Sequence, residues 1–183
     1  MLNGAPKVTT VVSFPPIENP GARILVLGSM PGVLSLQANQ YYAHPRNAFW
    51  PIMGALYDFD ANAPYEARVE ALKAAHVALW DVLRSCVRPG SLDSAIETGT
   101  RVANDFASFF QTHTALQCIA FNGAEAQKSF QRYVMPTIEL GDIRLVRLPS
   151  TSPAHTLPLQ TKIAQWRDGL RSPNSETLHT ARD

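Results

Sequence analysis

Arg23-Ile24-Leu25-Val26-Leu27-Gly28 is a short apolar run that ends at a glycine, and it decides the fold. A run of this length, bounded by turn residues, is typical of a strand buried on both faces of a parallel sheet. Three later runs have the same character: His76-Val77-Ala78-Leu79-Trp80, Gln117-Cys118-Ile119-Ala120-Phe121-Asn122 and Ile143-Arg144-Leu145-Val146-Arg147-Leu148. We therefore predict four strands that begin near residues 23, 77, 117 and 143.

Segments with helical spacing of apolar residues separate these strands. They cover residues 64–75, the cluster Phe106, Phe109 and Phe110, residues 124–133 and residues 159–170. We expect Asn104 or Asp105 to cap the second of these helices and Thr156 to cap the last. Strands that alternate with helices predict an α/β protein. The expected fold is a three-layer α/β/α domain with a central parallel sheet of four strands.

Composition narrows the class of protein. The 183 residues suit one domain, and 45% hydrophobic with 17% charged residues describes an ordinary globular chain. We expect an N-terminal arm over residues 1–21, one catalytic domain over 22–171 and a disordered tail over 172–183. The first twenty residues lack the order of a signal peptide, and the two cysteines, Cys86 and Cys118, are far apart. These features predict a cytoplasmic protein without disulfides and without a metal site.

The expected sheet also predicts where the chemistry lies. In open parallel sheets, ligands bind outside the carboxyl ends of the strands. The connections 28–49, 81–93, 122–125 and 149–156 should therefore converge on one site. The net charge of +1 gives no general attraction for nucleic acid, so DNA binding would need a local basic face.

The first connection contains two unusual segments. Gly28-Ser29-Met30-Pro31-Gly32 is a tight turn whose backbone can approach a ligand, although such a turn is also a common chain reversal. Tyr41-Tyr42-Ala43-His44-Pro45-Arg46-Asn47-Ala48-Phe49-Trp50 combines four aromatic residues with a histidine, an arginine and an amide. The alternatives are an aromatic loop that only packs on its neighbours and, for Asn47, a helix N-cap.

The last connection is Leu148-Pro149-Ser150-Thr151-Ser152-Pro153-Ala154-His155. Two prolines stiffen a run of three small hydroxyl residues. Such a loop can hold phosphates and insert into a duplex. The alternative is a turn that only leads into the last helix.

Together these motifs resemble the uracil-DNA glycosylase superfamily over about residues 22–170. Gly-Ser-Met-Pro-Gly, Tyr-Tyr-x-x-x-x-Asn-x-Phe-Trp, Leu-Trp-Asp-Val and Leu-Pro-Ser-Thr-Ser-Pro-Ala are most similar to its hypoxanthine-DNA glycosylase branch. Met30 stands where most of the superfamily has an Asp or Asn that positions water, and Leu148 replaces the histidine of the classical uracil enzymes. Phe121-Asn122-Gly123 resembles the Phe-Asn-Gly of thymine-type enzymes. For Asn122 and Gly123 this resemblance implies a structural role.

The resemblance implies a role for each matching residue. Asn47 would be catalytic in place of Met30, and Phe49 would stack on the extruded base while Asp81 reads its edge. The expected base-binding residues are Gly28, Ser29, Met30, Phe49 and Asp81. The expected DNA-binding residues are Tyr41, Tyr42, His44, Ser150, Thr151, Ser152, Pro153 and His155.

The implied activity is hydrolysis of the N-glycosidic bond of a flipped, deaminated base in DNA, foremost hypoxanthine. The implied enzyme is a monofunctional monomer that acts on double-stranded DNA with a damaged or mismatched base, without a cofactor. A mismatch-type uracil or thymine glycosylase and a non-catalytic DNA- or nucleotide-binding domain are the alternatives. A zinc base deaminase would need H-x-E and P-C-x-x-C motifs, which the sequence lacks.

Overall fold

The computed structural model describes residues 10–171, and the predicted tail lies outside this range. Its elements follow one another in chain order: β1 (Thr10–Val12), β2 (Ile24–Gly28), α1 (Val33–Ala38), α2 (Phe49–Tyr57), α3 (Tyr65–Ala74), β3 (Val77–Asp81), β4 (Leu83–Val87), β5 (Val102–Ala103), α4 (Phe106–Thr112), β6 (Cys118–Asn122), α5 (Ala124–Tyr133), β7 (Arg144–Leu148) and α6 (Leu159–Leu170). Short 3₁₀ helices cover Asp93–Ala95 and Met135–Thr137. No helix of the described range is long and apolar enough to span a membrane.

The central sheet has the order β3-β2-β6-β7, and each neighbouring pair is parallel. The four predicted strands are confirmed, with starts within one residue of those expected. The register pairs Gly28 with Asp81 and Asn122 with Leu148, at the carboxyl ends of their strands. Polar residues at these ends therefore meet at one edge of the sheet.

Alternate residues of the strands feed two separate apolar clusters. Leu25 and Leu27 of β2 pack in a cluster with residues of α4 and α5, whereas Val26 packs on the other face with residues of α2, α3 and α6. Burying one such side chain contributes about 1.5–3 kcal/mol. Helices cover both faces of the sheet, so the predicted three-layer α/β/α architecture is confirmed.

A second, antiparallel sheet of order β1-β4-β5 was not expected. The connection 81–93 is not a plain loop, because it contains strand β4, and only Val82 separates β4 from β3. No turn residue separates the two strands, and the sequence therefore gives no boundary. β1 pairs with β4 from Thr10 to Val12, and Ile17 bridges to Leu79. Residues 10–17 of the predicted arm thus contact the domain directly.

The helix starts agree with the sequence in one case and differ in another. Asp105 caps α4, since its carboxylate accepts a hydrogen bond from the Ser108 N–H at 3.0 Å. The prediction that Thr156 caps α6 is wrong, because Pro158 occupies the position before the helix. Proline has a fixed backbone angle that suits a helix start, and α6 begins after Pro158 without any side-chain cap.

Candidate active site

A cavity of about 170 Å³ opens at the carboxyl edge of the central sheet. All four predicted connections contribute to its wall. The lining residues include Gly28–Ser35, Tyr41, Tyr42, His44, Asn47, Asp81, Ser91, Asp93, Asn122 and Ser150–Pro153. The cavity is smaller than the roughly 300–1,000 Å³ of pockets for drug-sized ligands. A cavity of this volume is too small to hold a whole nucleotide.

The turn after β2 is held from below by a buried arginine. The Arg88 guanidinium donates to the backbone carbonyls of Pro31 and Gly90, the latter at 3.0 Å, and lies 3.7 Å from an Asp93 carboxylate oxygen. A Cβ at Gly28 would collide with Asp81 Oδ1 and would lie 2.9 Å from the Tyr42 hydroxyl. Glycine is therefore required where the turn meets these two side chains.

One end of the cavity is acidic. Asp81 is almost fully buried at the end of β3, and its Oδ2 has no hydrogen-bond partner within residues 10–171. Burial, assisted by the negative charge of Asp93, raises the pKa of Asp81 to about 7, and Arg88 opposes the shift. Asp93 accepts a hydrogen bond from the Ser29 hydroxyl at 2.7 Å, and burial raises its pKa as well. This end of the cavity therefore offers an acceptor with unused bonding capacity.

The neighbouring wall is an amide whose hydrogen bonds are taken. Asn122 Oδ1 accepts from the Thr151 N–H at 2.9 Å. Its Nδ2 donates to Thr151 Oγ1 at 2.9 Å and to the Tyr42 hydroxyl at 3.0 Å. Asn122 thus fixes the last connection to the sheet and places one N–H toward the cavity.

Tyr42, not Phe49, forms the aromatic wall. Phe49 is fully buried, and the Tyr42 ring stacks on it with centroids 4.2 Å apart and planes at 25°. On its other side Phe49 meets Trp166 edge to face at 6.3 Å. The expected stacking plate is therefore covered by Tyr42 in this structure, because both aromatic residues belong to the same loop and fold onto each other.

Asn47 lines the cavity and also starts a helix. Its Oδ1 accepts from the Phe49 N–H at 2.9 Å, and its own N–H donates to the His44 carbonyl at 2.8 Å. The N-cap of α2 is Ala48, which makes no side-chain cap, so the capping alternative for Asn47 is met only in part: Asn47 caps the first helical N–H from one residue earlier. The cap uses one lone pair of Oδ1 and leaves the rest of the amide free for a second task.

The connection 149–155 forms the rim and is held by α6. Trp166 Nε1 donates to the Pro149 carbonyl at 2.9 Å, and the buried Lys162 ammonium donates to the His155 carbonyl at 2.7 Å. Ser150, Thr151, Ser152 and Pro153 line the cavity. His155 does not, because it lies outside the rim beside Arg147 and Lys162 in two adjoining depressions.

Three functional candidates escaped the sequence reasoning or were undervalued by it. Arg88 and Asp93 lie in a stretch that resembles an ordinary polar surface loop, and only the tertiary fold buries the arginine. The sequence indicates a structural role for Asn122, but this residue also lines the cavity. Its position at the carboxyl end of a predicted strand was the signal that could have identified it.

Comparison with known proteins agrees with this geometry. The model of the uracil DNA glycosylase superfamily matches residues 15–170. The chain belongs to this superfamily. Two proteins named hypoxanthine DNA glycosylase, from Methanosarcina barkeri and Methanosarcina acetivorans, are 30% and 32% identical over 159 residues, which is 86% of this chain and 96% of each relative.

A solved structure supports the fold of this superfamily member. The solution NMR structure of a uracil DNA glycosylase candidate from Methanosarcina acetivorans superposes with a TM-score of 0.72 at 28% identity. The match covers 87% of this chain and 98% of the other. The family and the fold predicted from the sequence are confirmed, and so is the function at the level of a DNA repair glycosylase.

Proposed function

We propose that this glycosylase removes hypoxanthine from deoxyinosine in double-stranded DNA by monofunctional hydrolysis. The observation that carries the proposal is the buried Asp81 carboxyl group: Asp81 lines the cavity, and its Oδ2 has no hydrogen-bond partner in the described range. Hypoxanthine has an N–H donor next to a carbonyl oxygen on one edge. Asp81 can accept from this N–H, and a buried acceptor gains most from a ligand that satisfies it.

Extrusion of the nucleotide gives the base access to the cavity. Enzymes that act on a base flip it out of the duplex at a cost of a few kcal/mol, which is least for a mismatched or damaged base. Stacking on an aromatic ring returns about 1–3 kcal/mol. Phe49 is the proposed stacking ring once Tyr42, which covers it in the free protein, moves aside. We assign the flanking phosphates to the half-buried rim at Ser150 and Ser152.

Asn47 is the proposed catalytic residue because it can orient the attacking water. Met30 occupies the cavity wall with a thioether, which is only a weak acceptor and cannot direct a water molecule. The Asn47 amide lies in the same cavity with bonding capacity beyond its cap. A neutral amide can suffice for this reaction, since the developing charge on the sugar is cationic and the DNA phosphates favour it.

The composition of the cavity wall supports the proposal of hydrolysis by water. A bifunctional glycosylase needs an amine nucleophile at the sugar, usually a lysine that forms a Schiff base. Within the described residues, the cavity wall contains no lysine, and Lys162 directs its ammonium to the His155 carbonyl outside it. The product is therefore expected to be an intact abasic site.

The test is a glycosylase assay on duplexes that each carry one inosine, uracil, xanthine or ethenocytosine. We expect inosine to be excised fastest, with strand breaks only after alkaline cleavage of the abasic site. Faster excision of uracil would move the protein to the uracil-directed alternative. If none of the four bases is released under conditions where the protein binds an abasic duplex, the proposed activity is wrong.

A further inference from the structure

Tyr42 makes the contacts that a bound base would make. Its ring lies flat on Phe49, its hydroxyl accepts from Asn122 Nδ2 at 3.0 Å, and the same hydroxyl lies beside Gly28 and Asp81. Tyr42 also has a backbone φ of 54°, which is uncommon for a residue with a side chain. An aromatic ring with a polar edge therefore fills part of the space that the proposed substrate needs.

The orientation of the Asn122 amide is fixed by the neighbouring loop. The Thr151 backbone N–H can only donate, so the amide atom that it meets must be the oxygen. The amide nitrogen is then on the side of Tyr42 and Thr151 Oγ1. Rotating the amide by half a turn would place an NH₂ group against the Thr151 N–H. Asn122 is consequently held as a hydrogen-bond donor toward the cavity.

We propose that Asn122 is a specificity-determining residue that donates to the carbonyl oxygen of a deaminated base, and that the Tyr42 hydroxyl occupies the place of this oxygen in the free protein. The inference rests on the proposed glycosylase function. Hypoxanthine, xanthine and uracil carry a carbonyl oxygen where adenine and cytosine carry an amino group. A donor fixed at this position favours a base with a carbonyl oxygen. It disfavours adenine and cytosine, because their amino group is itself a donor.

Asn122 and Asp81 then contact adjacent atoms on one edge of the base. Asn122 donates to the carbonyl oxygen, and Asp81 accepts from the neighbouring ring N–H. Adenine would leave the Asn122 donor buried and unpaired. An unpaired buried polar group of this kind weakens binding by roughly 10- to 100-fold. The base also displaces Tyr42 from Phe49, which exposes the stacking face that the sequence predicted.

The substitution Asn122→Asp separates this role from a structural one. An aspartate can still accept from the Thr151 N–H, and the hydroxyls of Thr151 and Tyr42 can rotate to donate to it. Every contact of the free protein can therefore be kept, while the donor toward the base is lost. Asn62→Asp adds the same charge at an exposed position and is the matched control.

We expect Asn122→Asp to lower single-turnover excision of inosine by about 100-fold relative to Asn62→Asp, which is the rough upper end of the effect of one unpaired group. Its affinity for an abasic-site duplex should change less than threefold, because that duplex has no base to read. Equal excision of inosine by the two variants would overturn the inference. If the wild-type protein excised none of the deaminated bases, the proposed function would fail first, so the two failures are distinguishable.

Tyr42→Phe provides a second arm that does not depend on the stability of Asn122→Asp. The phenylalanine ring can still stack on Phe49 but no longer occupies the Asn122 donor, so a base displaces it more readily. We expect kcat/KM for inosine to rise by about 2- to 10-fold, the effect of one ordinary hydrogen bond. A fall of tenfold or more would show that the hydroxyl serves the bound substrate, and would overturn its role as a placeholder.

Discussion

The inner end of the cavity and its outer rim are built in opposite ways. Asp81 at the inner end is buried, with one carboxyl oxygen lacking a partner in the described range. Ser150 and Ser152 at the rim are half-buried, and Ala154 and His155 beyond them are exposed. The side chains of Trp166 and Lys162 in α6 hold the rim by donating to its backbone carbonyls at Pro149 and His155.

We propose that this difference separates recognition of the base from recognition of the DNA backbone. A buried polar group without a partner discriminates strongly between ligands. A ligand that does not hydrogen-bond to it leaves the free-energy cost of burying that group uncompensated. Exposed polar groups on a stiff loop can hydrogen-bond to phosphates, which contributes to affinity but not to the choice of base. Changes at the inner end should therefore alter rate and discrimination, whereas changes at the rim should alter affinity.

The largest effect is expected at Asn47, which lies between the two regions. Asn47→Ala should lower the single-turnover rate on inosine by roughly 100-fold or more, because the water loses its orienting group. It should also cost about 0.5–2 kcal/mol of stability through loss of the cap on α2. Single-turnover kinetics and urea unfolding on the same preparation measure both quantities.

Asn47→Ser is the control that separates these contributions. Serine is also a good capping residue, so stability should return. The shorter hydroxyl does not reach the position of the amide, so the rate should stay low. A fully active Asn47→Ser protein would remove Asn47 from the mechanism and leave it as a cap.

The next effect concerns the stability cost of the buried carboxyl group. Because burial raises the pKa of Asp81 from 3.8 to about 7, the folded state holds a proton that the unfolded state has released between these two values. Stability contributed by this group is therefore present at low pH and falls as pH rises from about 4 to 7. Asp81→Asn removes the penalty, and should raise stability at pH 8 by a few kcal/mol while having little effect near pH 4.

Urea midpoints of the wild-type protein and Asp81→Asn across pH 4–8 measure this dependence. The gain of the variant should grow with pH and level off above about pH 7. A gain that is equal at pH 4 and pH 8 would mean that Asp81 is ionised throughout. The inner end would then lack the buried, partly protonated carboxyl group that distinguishes it from the exposed rim.

The smallest effect is expected at the rim. The double variant Ser150→Ala with His155→Ala should bind an abasic-site duplex roughly 3- to 10-fold more weakly because it loses hydrogen bonds to phosphates, and binding of both proteins should weaken as salt rises. Fluorescence anisotropy at several salt concentrations is the measurement. Unchanged affinity at every salt concentration would show that the loop does not contact the DNA backbone, and the rim would need another assignment.

The sequence predicted the central sheet well because its strands are short apolar runs bounded by turn or polar residues. It failed at β4, where Val82 alone separates two strands and no turn residue interrupts the pattern. For the site, the motifs shared with the family pointed to Asp81 and Asn47, and both line the cavity. They could not show that Tyr42 covers Phe49, because ring stacking within one loop depends on backbone angles such as the positive φ of Tyr42.

Arg88 illustrates a second limit of the sequence. An arginine in a polar stretch is usually exposed, and nothing local indicates that it will be buried. Its burial follows from the unexpected antiparallel sheet, whose strand β4 ends at Val87, next to Arg88. When the sequence does not predict a strand, it also does not predict the burial of the residues that this strand positions.

The central claim is that a deaminated base leaves the duplex and enters the inner end of the cavity. The most direct measurement uses the slow Asn47→Ala protein and a duplex with 2-aminopurine next to inosine, because the fluorescence of 2-aminopurine rises when its neighbour leaves the stack. We expect saturating protein to raise the fluorescence of the inosine duplex well above that of a matched adenine duplex. Equal fluorescence of the two duplexes, with both fully bound, would contradict the account.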